Sequence, residues 1–436
     1  MKLVVWGLWV GTAWLVLCGC ATAPTSRRDP GPQGQVAQSS QPRLAAPNVA
    51  AGDLAQLTAD NSAFALDLFH VLSSGSGNWL DSPYSLSLAL IMAYNGARGE
   101  TARQMSSTMH LGLPPDRLNP AFGHLDLNLA ARGEGVQNQE AKGFRLNLVN
   151  AIWGQTGYAF LPQYLDLLAA YYGAGLRLVD FEHAVEPARA TINQWVSDQT
   201  AGKIPDLLGP RDVNSTTRLV LTNAVYFNAA WGRPIDKAET ADGPFHLLDG
   251  SQVTVPMMHQ TDWFEYAQGQ GYQAIELPYR GNELAMLLLL PAAGQYPSFE
   301  NALSAPQLAT ILKRLAPTRV VLTMPRFKFS SSFNLNDALK TLGMRDAFQY
   351  GPADFSGMDG TRTFYIGATI HKAFISVDEA GTEASAATAL VILPGAAPVA
   401  PVSPIPVTLD RPFIFLIRDR PTGVILFSGC VLNPGA

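Results

Sequence analysis

The segment at 377–407 constrains the fold of this chain more than any other, because its two halves favour different structures. The first half, VDEAGTEASAATALVI at 377–392, alternates with a period of two, which is typical of a half-buried strand. It is rich in alanine, which is a poor strand former by itself. The second half, LPGAAPVAPVSPIPV at 393–407, has five prolines and so predicts an exposed loop rather than a central strand. We therefore expect a segment with small side chains that fits between strands and leads into a long loop.

The N-terminus has the pattern of an export signal. Lys2 precedes an apolar run at 3–17 that is too short for a membrane span. The run leads into Leu17-Cys18-Gly19-Cys20, which resembles the lipobox of bacterial lipoproteins with Cys20 as the lipidated residue. The residue after the cysteine is Ala21 and not Asp, which in a Gram-negative cell resembles the signal for sorting to the outer membrane. The sequence thus predicts a lipoprotein signal peptide at 1–19, secretion across the inner membrane and a lipid anchor at the outer membrane or cell surface. The alternative is an ordinary secretory signal.

Residues 20–51 are rich in Pro, Ala and Gln and lack aliphatic periodicity, so we expect a disordered tether there. The remainder, 52–436, shows no internal repeat and no second Pro-rich break before 394, which predicts one large domain. Its pattern is α+β, with many helices first and then mostly strands. Helices are predicted at 54–72, 85–94, 163–172 and 188–199. Strands are predicted at 218–228, 273–277, 284–290, 319–329, 371–378, 412–417 and 423–427.

Charge and motifs exclude several functions. Lys+Arg number 30 and Asp+Glu 35, so the net charge of −5 leaves no excess of cations for binding nucleic acid. The three cysteines form no CxxC pair, which argues against structural zinc and a disulfide framework. The chain has no G-x-S-x-G, HExxH or Walker motif, so no hydrolase is indicated. We expect neither a metal nor a cofactor.

Ordered motifs along the chain match those of one family. EAGTEASAAT at 379–388 resembles the serpin hinge, and RPFIFLIRDRPTGVILFSG at 411–429 resembles the serpin C-terminal signature. With the further matches, the chain resembles a serpin across essentially all of 54–434. Those further matches are SPYS at 82–85, GARGET at 96–101, NQWV at 193–196, TAGKI at 200–204, LTNAVYF at 221–227, ELPY at 276–279 and MPRF at 324–327.

The resemblance implies a serpin fold of three β-sheets with about nine helices and an exposed reactive-centre loop at about 379–408. It also implies suicide-substrate inhibition, in which a serine protease cleaves the loop, forms an acyl-enzyme and is trapped when the cut loop inserts into the main sheet. Catalysis then belongs to the target, so this chain is predicted to be a monomeric protease inhibitor and not an enzyme. A cysteine protease stays open as a target. The alternatives are a non-inhibitory serpin that acts as a surface binding or chaperone-like protein, and an outer-surface scaffold.

Family spacing from Glu379 implies a reactive bond between Gly395 and Ala396, to within a short shift of register. No Lys or Arg lies between 373 and 410, which argues against a trypsin-like target and favours an elastase-like or subtilisin-like one. The region 128–146 has few basic residues, so heparin activation is not expected. The implied hinge residues are Glu379, Gly381, Thr382, Ala384, Ala386 and Thr388. The implied shutter residues, which would control opening of the sheet, are Ser82, Ser85, Asn223 and His371, and the breach residue, where insertion would begin, is Trp231.

Overall fold

The computed structural model describes residues 35–73, 77–132, 145–382 and 403–436. Over these residues it has ten α-helices, the shortest of four residues, in agreement with the predicted count of about nine. The helices are α1 (Asp53–Leu72), α2 (Pro83–Tyr94), α3 (Gly99–Thr108), α4 (Pro115–Ala130), α5 (Pro162–Leu167, continued by a π-helical turn at Leu168–Tyr172), α6 (Val185–Gln199), α7 (Tyr296–Ala302), α8 (Ala305–Arg314), α9 (Asn336–Thr341) and α10 (Ser356–Asp359).

Sixteen strands in the same ranges form two hydrogen-bonded networks. They are β1 (Gln35–Ala37), β2 (Trp79–Asp81), β3 (Arg145–Gln155), β4 (Leu176–Val179), β5 (Leu219–Ala230), β6 (Thr240–His246), β7 (Gln252–Gly269), β8 (Tyr272–Pro278), β9 (Leu284–Pro291), β10 (Ala316–Pro325), β11 (Phe327–Asn334), β12 (Ile366–Asp378), β13 (Gly381–Thr382), β14 (Ile405–Thr408), β15 (Phe413–Asp419) and β16 (Ile425–Val431).

The first network has the order β1-β4-β3-β5-β13-β12-β11. The second has the order β14-β10-β7-β8-β9-β15-β16-β2, with β6 also paired to β7. This second network divides along the long strand β7, whose residues 252–266 pair with β6 and β10 while 265–269 pair with β8. Divided there, the fold has the three sheets that were predicted, and the α+β class is confirmed.

Helix α2 lies at the centre of the molecule, in contact with β3 and β5 on one side and β16 on the other. Every residue from Pro83 to Ala93 is buried. A helix that is apolar all round is stable only inside a core, which explains why LSLALIMA occupies this position. The contacts of α2 with β3 and β5 place the residues at its N-terminus beside the first sheet. These residues include Ser82 and Ser85 of the implied shutter.

Two predictions of organisation are wrong. The strand expected at 319–329 is two strands, β10 and β11, which belong to different networks and break at Arg326. Pro325 lacks a backbone N–H and so ends the ladder. The second error concerns residues 35–50, which lie against the body and are not a disordered tether: β1 pairs with β4, and Arg43 forms an ion pair with Asp126. The prediction assumed that a segment without aliphatic periodicity does not pack on the body, but strand pairing and the ion pair hold this one in place.

Candidate functional site

The strands β5 and β12 of the first sheet pair directly along part of their length and separate at one end. Their parallel register runs from Leu219 opposite Ile366 to Tyr226 opposite Phe374. Beyond these pairs, β13 lies between the two strands and is antiparallel to both. The hinge residues of β13 are therefore already inserted at the end where the sheet is open.

Gly381 is required at this point by its backbone geometry. Its φ of +149° lies in a region that residues with a side chain rarely adopt. A Cβ atom on Gly381 would come within 2.2 Å of the carbonyl oxygen of Ala229. The next residue, Thr382, is fully buried, and its hydroxyl lies 2.7 Å from the hydroxyl of Tyr279. A bulky residue at either position would not fit between the strands as they stand.

Trp231, the implied breach residue, holds the chain just before β13. Its indole stacks on Tyr279 with ring centroids 4.7 Å apart, and its Nε1 donates to the carbonyl oxygen of Asp378 at 2.9 Å. Its backbone N–H donates to the carbonyl oxygen of Ala380 at 2.9 Å. The structure thus places Trp231 at the open end of the sheet, and its role as the point where insertion begins stays a prediction.

The hinge residue Glu379 is buried and anchored by side chains of two other segments. The guanidinium of Arg326 and the hydroxyl of Thr240 both donate to its Oε1. Burial alone would raise the pKa of the Glu379 carboxyl, but these hydrogen bonds outweigh it and hold the pKa below its ordinary value. Glu379 is therefore an ionised anchor at the base of the hinge, a contact that the sequence did not assign to Arg326 or Thr240.

The four implied shutter residues meet behind the closed part of the sheet. His371 and Asn223 face each other in the register of β12 and β5, and the Asn223 amide donates to Ser85 Oγ at 2.8 Å and to Asn150 Oδ1 at 2.7 Å. The backbone N–H of Ser82 donates to Nε2 of His371 at 3.2 Å. The Ser82 hydroxyl does not cap α2 but donates to the carbonyl oxygen of Leu426 at 2.6 Å.

The protonation state of His371 follows from these partners. Burial lowers the pKa of His371 to about 3, so the ring is neutral at pH 7. Nε2 must accept from the Ser82 N–H, hence Nδ1 carries the proton and donates to Oδ1 of Asn223. This bond joins β12 to β5, the two strands that must part for a new strand to enter. The role of the cluster as a gate stays a prediction.

Replacing His371 with alanine is expected to lower the free energy of unfolding by about 3 kcal/mol, through a cavity and through buried groups left without partners. The fold should be retained, and the rate of loop insertion should change. Thermal melting and circular dichroism test this. His183→Ala, at an exposed histidine, is the control and should change the free energy by less than about 0.5 kcal/mol. Equal melting and equal insertion kinetics for His371→Ala and the wild type would contradict the expectation.

A buried carboxyl lies next to this cluster. Asp81, the last residue of β2, directly precedes Ser82 and is 1 % exposed. Its Oδ1 accepts from the hydroxyl of Ser428 on β16, and its Oδ2 has no hydrogen-bond partner among the described residues. Burial raises the pKa of Asp81 to about 7. No sequence motif had singled out Asp81, since an acid in a short apolar strand has no periodic signal.

Several predicted site residues lie outside the described residues. They are the hinge residues Ala384, Ala386 and Thr388, the reactive-bond residues Gly395 and Ala396, and the lipidation residue Cys20. Within the described ranges, no cluster of three or more His, Cys, Asp or Glu side chains is arranged to hold a metal ion. The helices of these ranges include none with both the length and the apolar character of a membrane span.

A seven-stranded sheet in which the short strand β13 lies between β5 and β12 characterises the fold of this chain. The family model described as Serpin (serine protease inhibitor) matches residues 59–434. The chain belongs to the serpin family. The predicted family and fold are thus confirmed.

Curated relatives cover most of the chain. An uncharacterised serpin-like protein of Thermococcus kodakarensis is 40% identical over 373 residues, which span 86% of this chain and 84% of that protein. Leukocyte elastase inhibitor A of Rattus norvegicus is 41% identical over 391 residues, spanning 87% of this chain and 100% of the relative.

Solved structures give the same fold. The thermophilic serpin tengpin in its native state superposes with a TM-score of 0.79 at 29% identity and covers 92% of this chain and 100% of its own. Maspin superposes with a TM-score of 0.78 at 27% identity and covers 88% of this chain and 100% of its own.

Proposed function

We propose that this chain is a suicide-substrate inhibitor of serine proteases. The observation that carries the proposal is the position of β13 between β5 and β12. Because the hinge already pairs with both β5 and β12, the residues that follow it can enter the sheet by extending β13. The small residues of EASAAT, at 383–388, are compatible with continuing along the same path.

The proposed mechanism exchanges one ladder for two. A protease cleaves the loop and its catalytic serine becomes esterified to the residue before the cut. The freed segment then continues β13 between β5 and β12, which breaks their parallel pairing and forms an antiparallel ladder on each side. The gain is on the order of ten hydrogen bonds, each worth about 1 kcal/mol net. The protease, attached through the ester, is carried along with the inserting segment. Its active site is distorted before water can hydrolyse the ester.

The native state in this mechanism is held kinetically rather than at the lowest free energy. The bonds that join β5 to β12, above all the one from His371 to Asn223, are part of the barrier because insertion must break them. The anchor from Arg326 to Glu379 fixes the base of the hinge, so the strand that enters has a defined register.

We propose an elastase-like or subtilisin-like protease as the target. The absence of Lys and Arg from 373–410 gives a trypsin-like enzyme no basic residue to recognise. The similarity to a protein named leukocyte elastase inhibitor A supports the same class. We also propose that Cys20 carries a lipid that anchors the chain at the outer membrane or cell surface, which mass spectrometry of the mature N-terminus tests.

The proposal is tested with residues 35–436, which keep the N-terminal segment that packs on the body. The protein is incubated with pancreatic elastase, subtilisin and trypsin and run on denaturing gels. We expect a denaturant-stable band at the summed mass with elastase or subtilisin and none with trypsin. Mass spectrometry of the released peptide should place the cut close to Gly395.

The control is each protease blocked at its active-site serine, which should give no band. Clean cleavage of the loop with no band and no gain in thermal stability of the cleaved protein would contradict inhibition. That result would favour the non-inhibitory alternative, a surface binding or chaperone-like serpin.

A further inference from the structure

Trp263 on β7 differs from the other tryptophans that the structure describes. Its side chain is 54% exposed, whereas those of Trp79, Trp153, Trp195 and Trp231 are buried. Single exposed apolar residues are common on protein surfaces and need no explanation. The position of Trp263 relative to the two ends of the loop is what makes it informative.

The C-terminal end of the loop returns to the sheet beside Trp263. Ile405 of β14 pairs with Val320 of β10, which in turn pairs with Asp262 of β7. Trp263 is the next residue, opposite Arg319. Since neighbouring strands are about 4.8 Å apart, Trp263 lies roughly 10 Å from the strand at which the loop ends.

The same rows of the sheet present one exposed face. Thr261 lies opposite Val321, and Val321 lies opposite Pro406. Thr261, Trp263, Arg319 and Pro406 are exposed and Val321 is half-buried, whereas Val320 and Phe264, which alternate with them, are buried. We call the set Thr261, Trp263, Arg319, Val321 and Pro406 the outer face.

A small pocket connects the outer face to the hinge. Its volume is about 90 Å³, enough for one side chain, and its lining combines the apolar side chains of Trp231, Ile235 and Trp263 with the polar side chains of Arg233 and Gln260. The backbone N–H groups of Trp231 and Ile235 donate to the carbonyl oxygens of Ala380 and Glu379, just before β13. The pocket and the outer face therefore lie between the two ends of the segment at 383–402.

We propose that the outer face, with the pocket beside Trp263, is a docking surface for the body of the protease that engages the loop. The inference rests on the proposed function. It adds a second contact, in which the partner presents an apolar side chain to the indole and the pocket, in the way that tryptophans act as central residues of protein interfaces.

The length of the loop favours the protease as the partner that binds the outer face. Gly395 precedes Ser403 by eight residues, so even a fully extended chain places it at most about 28 Å from the point where the described chain resumes. A globular protease of ordinary size has a radius of gyration of roughly 18 Å. An enzyme bound at Gly395 therefore comes within reach of the outer face.

The test compares Trp263→Ala with the unchanged full chain against pancreatic elastase. We expect the second-order rate constant for covalent inhibition to fall about tenfold, with an unchanged stoichiometry, because docking contributes to encounter and not to insertion. The matched control is Tyr350→Ala. Tyr350 is 74% exposed and contacts Tyr365, next to the end of β12 farthest from the hinge, so its replacement should leave the rate constant unchanged.

A second measurement separates this inference from the proposed function. Elastase with its catalytic serine replaced by alanine is immobilised, and its affinity for both variants is measured by surface plasmon resonance. A weaker affinity for Trp263→Ala supports the docking surface even where the wild type forms no covalent complex with active elastase or with subtilisin, the result that would overturn only the proposed function. Equal rate constants and equal affinities for Trp263→Ala and the wild type would overturn the docking surface, as would a wild type that binds neither form of elastase.

Discussion

Replacing Thr382 with arginine is expected to convert the proposed inhibitor into a substrate of the protease that it traps. Thr382 is fully buried in β13, and its hydroxyl lies 2.7 Å from that of Tyr279. An arginine there would bury a guanidinium with no carboxylate partner between β5 and β12, which costs several kcal/mol or expels β13 from the sheet. The loop would then be cleaved, but the hinge would not insert before the acyl-enzyme is hydrolysed.

The measurement is the stoichiometry of inhibition with elastase, together with the denaturant-stable band. We expect the number of inhibitor molecules consumed per protease to rise at least tenfold and the band to disappear, while the loop is still cleaved. Thr382→Ser is the matched control, because it keeps the hydroxyl next to Tyr279 and should inhibit like the wild type. A Thr382→Arg protein with the wild-type stoichiometry would show that trapping does not require the hinge to lie in the sheet.

The burial of Thr382 illustrates what the sequence could predict. The period-two alternation after Gly381 indicated a segment able to enter a sheet, and the structure places Gly381 and Thr382 in β13. Helix α1 and helix α2 also begin and end close to their predicted bounds, since apolar spacing and Pro83 are local signals. Local periodicity is thus sufficient for elements whose pattern is carried by adjacent residues.

The contacts of the site are different in kind. Asn223 and His371 are 148 positions apart, and their hydrogen bond depends on the register between β5 and β12. No local pattern encodes that register, so only the resemblance to a family placed these residues together. The anchors Arg326 and Tyr279 lie in the motifs MPRF and ELPY, which matched the family without indicating which hinge residue each one contacts.

The error at 319–329 has a local physical origin. The apolar run continues across Pro325 because β10 and β11 are both half-buried, although they belong to different sheets. The hydroxyl of Ser82 illustrates the opposite case. Serine is a common helix N-cap, but this hydroxyl donates to the carbonyl oxygen of Leu426 and not to α2, so a contact with a distant segment overrides a local preference.

The second large effect concerns Asp81 and depends on pH. The pKa of Asp81 is raised from 3.8 to about 7 by burial, so between these values the carboxyl is neutral in the folded protein and ionised in the unfolded chain. Its contribution to stability is complete below about pH 4 and is lost as the pH rises towards 7. The loss amounts to about 4 kcal/mol in the free energy of unfolding, or roughly 5 °C in the midpoint of thermal unfolding for a body of this size.

Asp81→Asn removes this titration and keeps an oxygen that accepts from Ser428. Wild type and variant should melt at similar temperatures near pH 4, and the variant should melt higher by an amount that grows up to pH 7 and then stays constant.

The control is Asp53→Asn. Hydrogen bonds from Arg117 lower the pKa of Asp53, so its contribution is present above about pH 4 and is lost only as the pH falls further. The difference in melting temperature between Asp53→Asn and the wild type should therefore stay nearly constant from pH 4 to 7.5. If the melting temperatures of the wild type and Asp81→Asn differ by the same amount at every pH from 4 to 7.5, Asp81 is ionised in the folded protein. The unpartnered Oδ2 next to Ser82 would then have to bind water or a cation.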